Sequence, residues 1–332
     1  MADLFLKGWV EQGGRRLSEE EVLAVLTENP RDVSLFGGEF CLRYGEWEAR
    51  DHFGIVPGPS PAGTVTCDGE VVGPVDPCYP AGDLDEAVVE AVALRTVDGA
   101  AVALSGGVDS ALVAALARLP AVVVGLDGSH DQRRALALAE ILGIPCDAVA
   151  VTEGEVEEAL HEVVAVLGDP NPVDASIATT EYFVCRWAEE QGYGRILAGQ
   201  GADELFGGYA RYLDNDDLAA ALEAGVADLP RQVARDGAVA AHYGTAFSLP
   251  YLDLRVVAAA GAIPPAEKVR DGVRKAPLRK VAERHIPPEF ARAEKKAMQY
   301  GSGIWKTIQR LARRNGYDHV TDWLKAMTCD AE

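Results

Sequence analysis

Hydrophobic and polar positions change rhythm along this chain, and the change divides it in two. Before Tyr79, the stretch LFGGEFCLRYGEWEARDHFGIVPG alternates apolar and polar residues between glycine-rich breaks, the period-two pattern of paired antiparallel strands. From Gly54 to Gly82, proline and glycine crowd together, which predicts turns and short strands joining two regions. A boundary near Tyr79 therefore separates residues 1–80, small and mainly β, from residues 81–332.

Past that boundary the period lengthens. DLDEAVVEAVALRTV predicts an amphipathic helix, Ala100 to Leu104 a short apolar strand, and Ser110 to Arg118 an Ala/Leu-rich helix. The unit recurs as strand Ala121 to Leu126, helix Asp131 to Leu142 and strand Asp147 to Val151. Helices Glu155 to Leu167 and Thr179 to Gln191 follow, then strand Arg195 to Ala198. Such alternation predicts an α/β fold, a parallel sheet with helices on both faces. Beyond Asp214 the pattern is nearly all helical, so a C-terminal helical region is expected beside the sheet.

Composition narrows the function classes. The chain has 332 residues, 48% of them hydrophobic, and lacks any apolar run of membrane-spanning length. Its start, MADLFLKGWVEQGG, has none of the zones of a signal peptide, so a cytoplasmic protein is expected. The formal charge of −21 repels a nucleic-acid backbone and points to small-molecule partners. The acids are spread along the chain, a pattern like that of salt-adapted proteins. Six cysteines without a CxxC or a Cys/His cluster indicate neither a disulfide framework nor zinc.

Two loops carry the chemistry. The strand AAVAL runs into SGGVDS, Ser105 to Ser110, and on into a helix. Gly106 and Gly107 let backbone approach an anion while the helix offers N–H groups and a positive dipole end. Ser105 and Ser110 add hydroxyls, and Asp109 suits a magnesium ion on the phosphates rather than the phosphates themselves. A mere tight turn would need the glycines but not two serines and an aspartate. The loop has no Walker A spacing and no lysine. About ninety residues later, ILAGQGADELFGGY leaves a second strand through another glycine-rich, acid-bearing loop.

The first loop resembles the SGGxDS signature of the N-type ATP pyrophosphatases. The second resembles the G-x-G-[AS]-D-E-x-F-G-G-Y motif of asparagine synthetases and their β-lactam-forming relatives. Further resemblance lies in GLDGSHDQRRALALAEILG (Gly125 to Gly143), DASIATTEYFVCRWA (Asp174 to Ala188), LPYLDLRVV (Leu249 to Val257) and the tail Lys275 to Gly303, covering nearly all of residues 84 to 305.

The resemblance implies an adenine nucleotide alpha hydrolase-like fold and an AMP-forming ligase using ATP and Mg2+. It assigns Leu104, Ser105, Gly106, Gly107, Asp109, Ser110, Gly125, Gly199 and Lys295 to ATP, with Gly125 bordering the adenine. Asp109 and Asp203 would share the metal, Lys295 would be the catalytic lysine, and Asp253 would reach toward the cleft. Lys275 and Arg279 read as residues beginning a helix, structural or weakly phosphate-facing. At Gln200 most asparagine synthetases carry Glu and the β-lactam relatives Tyr, which leaves the substrate open. A neutral amide cannot act as general base, though it can orient a substrate.

At the amino end, GGEFCLRY and WEARDHFGIVP resemble the last strands of the family's glutaminase domain, whose nucleophile is Cys at position 2; here position 2 is Ala2. Residues 1–80 thus read as a structural remnant, with Cys41 a buried thiol inside a strand. The implied reaction is adenylation of a carboxylate, aspartate by resemblance, and transfer of ammonia to give asparagine, AMP and pyrophosphate. The alternatives are another carboxylate and amine, or a non-catalytic ATP-binding subunit of a pair. A separate glutaminase subunit and a homodimer stay open as partners.

Overall fold

Short apolar runs flanked by turn residues, alternating with capped helices, set the order of elements in this computed structural model, which describes residues 3–168, 171–213, 215–293 and 301–330. Strands β1 (Leu4–Gln12) and β2 (Arg15–Arg16) precede helix α1 (Glu19–Glu28). Strands β3 (Gly37–Tyr44), β4 (Trp47–Arg50), β5 (Thr64–Cys67) and β6 (Glu70–Pro74) follow, then α2 (Leu84–Arg95). The alternating section comprises β7 (Ala100–Ala103), α3 (Val108–Ala117), β8 (Ala121–Gly125), α4 (His130–Leu142), β9 (Cys146–Ala150), α5 (Glu153–Leu167), α6 (Pro172–Gln191) and β10 (Arg195–Leu197). The later helices are α7 (Ala202–Phe206), α8 (Leu218–Ala227), α9 (Leu229–His242), α10 (Leu254–Gly261), α11 (Pro265–Lys268), α12 (Ala276–Ala282), α13 (Pro288–Ala291), α14 (Ile304–Arg314) and α15 (Val320–Asp330). Among them lie β11 (Ala246–Ser248), β12 (Val269–Arg270) and β13 (Val273–Arg274).

The chain packs as two compact units. The first comprises Met1–Arg95, Gln200–Gly237 and Ser248–Leu278; the second comprises Thr96–Gly199, Ala238–Phe247 and Arg279–Glu332.

In the first unit a six-stranded sheet runs β2-β1-β3-β4-β5-β6, every pair antiparallel. The alternation read from the sequence places Phe40, Leu42 and Tyr44 of β3 among the buried residues that meet Val22 and Leu26 of α1. Each such side chain contributes about 1.5–3 kcal/mol by leaving water. Helix α1 is held at its start by a capping box, with Ser18 accepting from the Glu21 N–H and Glu21 from the Ser18 N–H.

In the second unit a five-stranded parallel sheet runs β11-β10-β7-β8-β9. Its inner strands AAVA and AVVVG carry almost no polar residue because helices cover both faces. The sequence pattern placed these elements to within a few residues, except that α6 begins at Pro172, well before Thr179. Asn171 caps it by accepting from the Val173 and Asp174 N–H groups, and Pro172 occupies the first turn, where no N–H is needed. Helices α14 and α15 pack on α5 and α6, with Arg310 and Arg314 paired to Glu153 and Glu157 of α5. No helix among the described residues is long and apolar enough to cross a membrane.

Candidate functional site

The strand order locates the site. From β7 the chain moves outward to β8 and β9 on one side, while β10 and β11 occupy the other. Neighbours β7 and β10, paired in parallel with Leu197 opposite Val102, therefore form the switch point of the sheet, the place where parallel α/β sheets present their carboxyl-end loops to ligands. SGGVDS leaves the end of β7, and the first residues of the second signature, Ile196 to Gly199, run along and out of the neighbouring strand β10, so this unit holds the whole of the first signature and the start of the second.

The first loop is a closed hydrogen-bonded turn. The Ser105 N–H donates to Ser110 Oγ at 3.1 Å, the two hydroxyls lie 3.1 Å apart, and Ser110 Oγ donates to the Gly107 carbonyl at 3.3 Å. Leu104 is buried and donates its N–H to Val122, fixing the strand end from which the loop springs. Gly106 takes φ +72°, and a Cβ there would lie 2.8 Å from Arg134 Cβ, so both conformation and space call for glycine. The Arg134 Nε–H donates to the Gly106 carbonyl at 3.2 Å, placing a cation behind the loop. Gly107 is the N-cap of α3 and supplies no side-chain cap, so no side chain of its own covers the N–H groups of the first helical turn. Asp109 stands in that turn.

Gly199 explains how the second loop starts. A Cβ on it would lie 3.0 Å from Asp109 Cβ and 3.2 Å from the Ser110 N, so a side chain there would press on the first loop. Gly125, at the end of β8, is equally confined: a Cβ would meet Ser129 Oγ at 2.5 Å and the Ser302 carbonyl at 3.0 Å. The Leu126 N–H donates to that same carbonyl at 2.9 Å.

Gln200 and Asp203 belong to the first unit. Gln200 is half-buried before α7, and Asp203 lies in the first turn of α7 with its Oδ1 2.7 Å from Lys275 Nζ. Next to it Glu204 is buried and accepts from Tyr209 Oη at 2.5 Å. Burial, and then the charge of Asp203, pushes the Glu204 carboxyl up, while burial and Glu204 push the Tyr209 phenol up. Lys295 lies outside the described residues.

Two sequence readings change, those of Lys275 and Asp253, and the structural alternative for Arg279 is kept. Lys275 does not begin a helix: it takes φ +57° ahead of α12 and its side chain is fully buried. Arg279 lies within α12 and donates to the Ala291 carbonyl at 2.7 Å, a structural contact. Asp253 is enclosed, 4% exposed, rather than open. It caps α10 and pairs with Arg95 at 2.8 Å and Arg255 at 2.9 Å; burial works to raise its pKa, but the two guanidiniums hold it below the ordinary carboxylate range.

This ion network was not anticipated. Arg95 also pairs with Glu39 at 2.7 Å and Arg255 with Glu11 at 2.6 Å; Glu39 accepts from Trp9, Ser248 and the Leu249 N–H. It ties the antiparallel sheet to α2 and α10 inside one unit. Cys41 of β3 is buried and its thiol is pushed up by burial, which disfavours the nucleophilic thiolate.

A switch point with a serine- and glycine-lined turn at the start of a helix defines an α/β protein with the kind of loop that suits an anion. A family model described as asparagine synthase matches residues 83–236 and 227–321, and the chain belongs to the asparagine synthase family, a family of ATP-dependent amide-forming ligases. A glutamine-hydrolysing asparagine synthetase 1 of Methanocaldococcus jannaschii is 31% identical over 279 residues, covering 70% of this chain and 52% of that protein. Asparagine synthetase B of Escherichia coli K12 is 26% identical over 248 residues, covering 65% and 44%. The chain spans about half the length of the curated relatives it matches. An NH3-dependent NAD synthetase of Campylobacter jejuni is a remote structural neighbour, with TM-score 0.34 and 14% identity over 74% of this chain and 90% of that one.

Proposed function

We propose that this chain is an AMP-forming ligase that adenylates a carboxylate, aspartate by kinship, and passes the activated acyl group to ammonia, giving asparagine, AMP and pyrophosphate. The observation that carries it is the SGGVDS turn at the β7/β10 switch point, with the N-terminus of α3 behind it.

In this reading the substrate carboxylate attacks the α-phosphorus of ATP and the bond to the β-phosphate breaks. Leu104, Ser105, Gly106, Gly107, Ser110 and Gly199 would shape the place of the departing pyrophosphate, with the N–H groups at the start of α3 offered to its oxygens. Gly125, which has no room for a side chain, borders the adenine. By kinship Asp109 and Asp203, both hard oxygen donors, would be the residues that hold magnesium, which would supply neutralising charge to the phosphates. Lys295 adds a further cation against the charge that develops as pyrophosphate leaves. Gln200 orients the acyl group or amine by hydrogen bonding, since its amide takes up no proton at neutral pH. Together these groups position reactants and balance charge, which accounts for most of the catalysis such a transfer needs.

Residues 1–80 are, in this proposal, the glutaminase-like remnant and residues 81–332 the synthetase region. Ammonia or a separate glutaminase subunit would supply the nitrogen, and Cys41, buried and with its thiol pushed up by burial, is not poised as a nucleophile. A cytoplasmic location and a salt-rich habitat agree with the acidic composition.

The test is exchange of labelled pyrophosphate into ATP across a panel of amino acids. Aspartate-dependent exchange, followed by asparagine on adding ammonia, is expected. Exchange with a different acid would move the substrate assignment, and tight ATP binding without exchange for any acid would sink the ligase reading in favour of a binding subunit.

A further inference from the structure

We propose that Lys275 is the resting counter-ion of Asp203 and makes divalent-cation binding at Asp203 depend on bound nucleotide. The inference rests on the assignment of Asp203 to the metal.

Two segments distant in sequence, the hairpin ahead of Lys275 and the Asp203–Gly208 stretch, converge on this one contact. The β12–β13 hairpin turns through Asp271 (φ +52°) and Gly272 (φ +76°), the paired left-handed conformation of a two-residue hairpin. It delivers Lys275, itself held at φ +57°, a conformation that a long side chain keeps only when its surroundings impose it. The Arg274 Nη1–H donates to the Gly208 carbonyl at 3.0 Å, clamping the hairpin to the end of the second signature. Gly208 in turn leaves the slot open: a Cβ there would lie 1.7 Å from Asp203 Oδ1 and 2.1 Å from Lys275 Cε. The slot thus accommodates the ion pair only because residue 208 has no side chain.

The pair is asymmetric. Lys275 is fully buried, whereas the Asp203 side chain is 18% exposed, so the carboxylate meets solvent while the ammonium is locked behind it. A buried ammonium needs its partner, and it neutralises that partner's charge. A divalent cation arriving at Asp203 would meet a like charge a few ångströms away in a poorly screening interior, a repulsion that outweighs any gain from holding the carboxylate still. A triphosphate brings negative charge enough to reverse the balance. Asp203 therefore collects its cation together with nucleotide and not ahead of it.

The test is Mn2+ binding to the full-length, nucleotide-free protein, read by electron paramagnetic resonance. Lys275→Met is expected to bind Mn2+ roughly tenfold or more tightly than wild type, Lys275→Arg to stay near wild type, and Lys275→Met combined with Asp203→Asn to lose the gain. Lys275→Gln keeps a hydrogen bond to Asp203 and supplies the same comparison if Lys275→Met does not fold. Neutral variants that bind Mn2+ no more tightly than wild type, or a gain that survives Asp203→Asn, would overturn the proposal. No turnover enters the measurement: if no acid supports exchange yet the Asp203-dependent gain is seen, the ligase reading fails and this one stands.

Discussion

Two aspartates carry the proposed metal, and their surroundings make their mutants differ. Asp109 is half-buried in the first turn of α3, so Asp109→Ala should stop pyrophosphate release while changing stability by less than about 1 kcal/mol. Asp203→Ala should stop it too, but it also removes the carboxylate 2.7 Å from the buried ammonium of Lys275. Breaking a fully buried pair costs about 3–5 kcal/mol, and the partial exposure of Asp203 discounts this to about 2 kcal/mol. Thermal melts beside the release assay separate the cases; equal melting temperatures for the two mutants would show that the Lys275 contact carries no weight. Asp109, Ser110 and Asp203 could be picked out as candidates from sequence because the motifs that carry them are written in consecutive residues. Lys275 was misread because its role depends on a backbone conformation and on a partner 72 positions earlier.

Among the elements, the turn after β4 shows how burial makes stability depend on pH. Asp51 is buried and accepts from the Phe40, Ile55 and Val56 N–H groups, yet burial, outweighing those bonds, pushes its pKa from 3.8 to about 6. Of the charges facing it, Glu39 pushes the same way and Arg50 opposes. The native carboxyl binds its proton more tightly than the unfolded chain does, so its contribution is full below 3.8 and is lost as pH rises through about 6. Two units correspond to about 3 kcal/mol at most. Denaturant melts at pH 4 to 7 should show this slope, and Asp51→Asn should flatten it; an unchanged slope in the mutant would assign it elsewhere. The helices and strands around such turns were legible where their apolar spacing was strong. Helix α6 was cut short in the reading because its first turns, PVDASIA, mix small and polar residues, and the Asn171–Pro172 cap that starts it was passed over.

For the molecule as a whole, the antiparallel sheet is part of the same unit as the second signature. Glu11 and Glu39 are fully buried, and they supply the negative charge that Arg255 and Arg95 need. A chain shortened to begin at Asp83 should therefore lose cooperative unfolding, checked by circular dichroism and gel filtration. A sharp melt near that of the intact protein would show the sheet to be dispensable. None of this was visible in the sequence, because Glu39 meets Arg95 across 56 positions and Leu249 across 210, and isolated charged residues carry no period to read. The parallel sheet was visible because each of its strands and helices is specified within a dozen residues.

The hairpin ahead of Lys275 has one more consequence. Its tip is Asp271–Gly272, exposed to solvent. An aspartate followed by glycine cyclises to a succinimide more readily than other aspartyl pairs, because nothing on the next residue shields the attacking amide nitrogen. Reopening to isoaspartate lengthens the main chain by one methylene inside a two-residue turn. The choice of residues that lets the chain reverse so tightly also gives the protein a chemical clock, set beside the lysine whose placement depends on that turn.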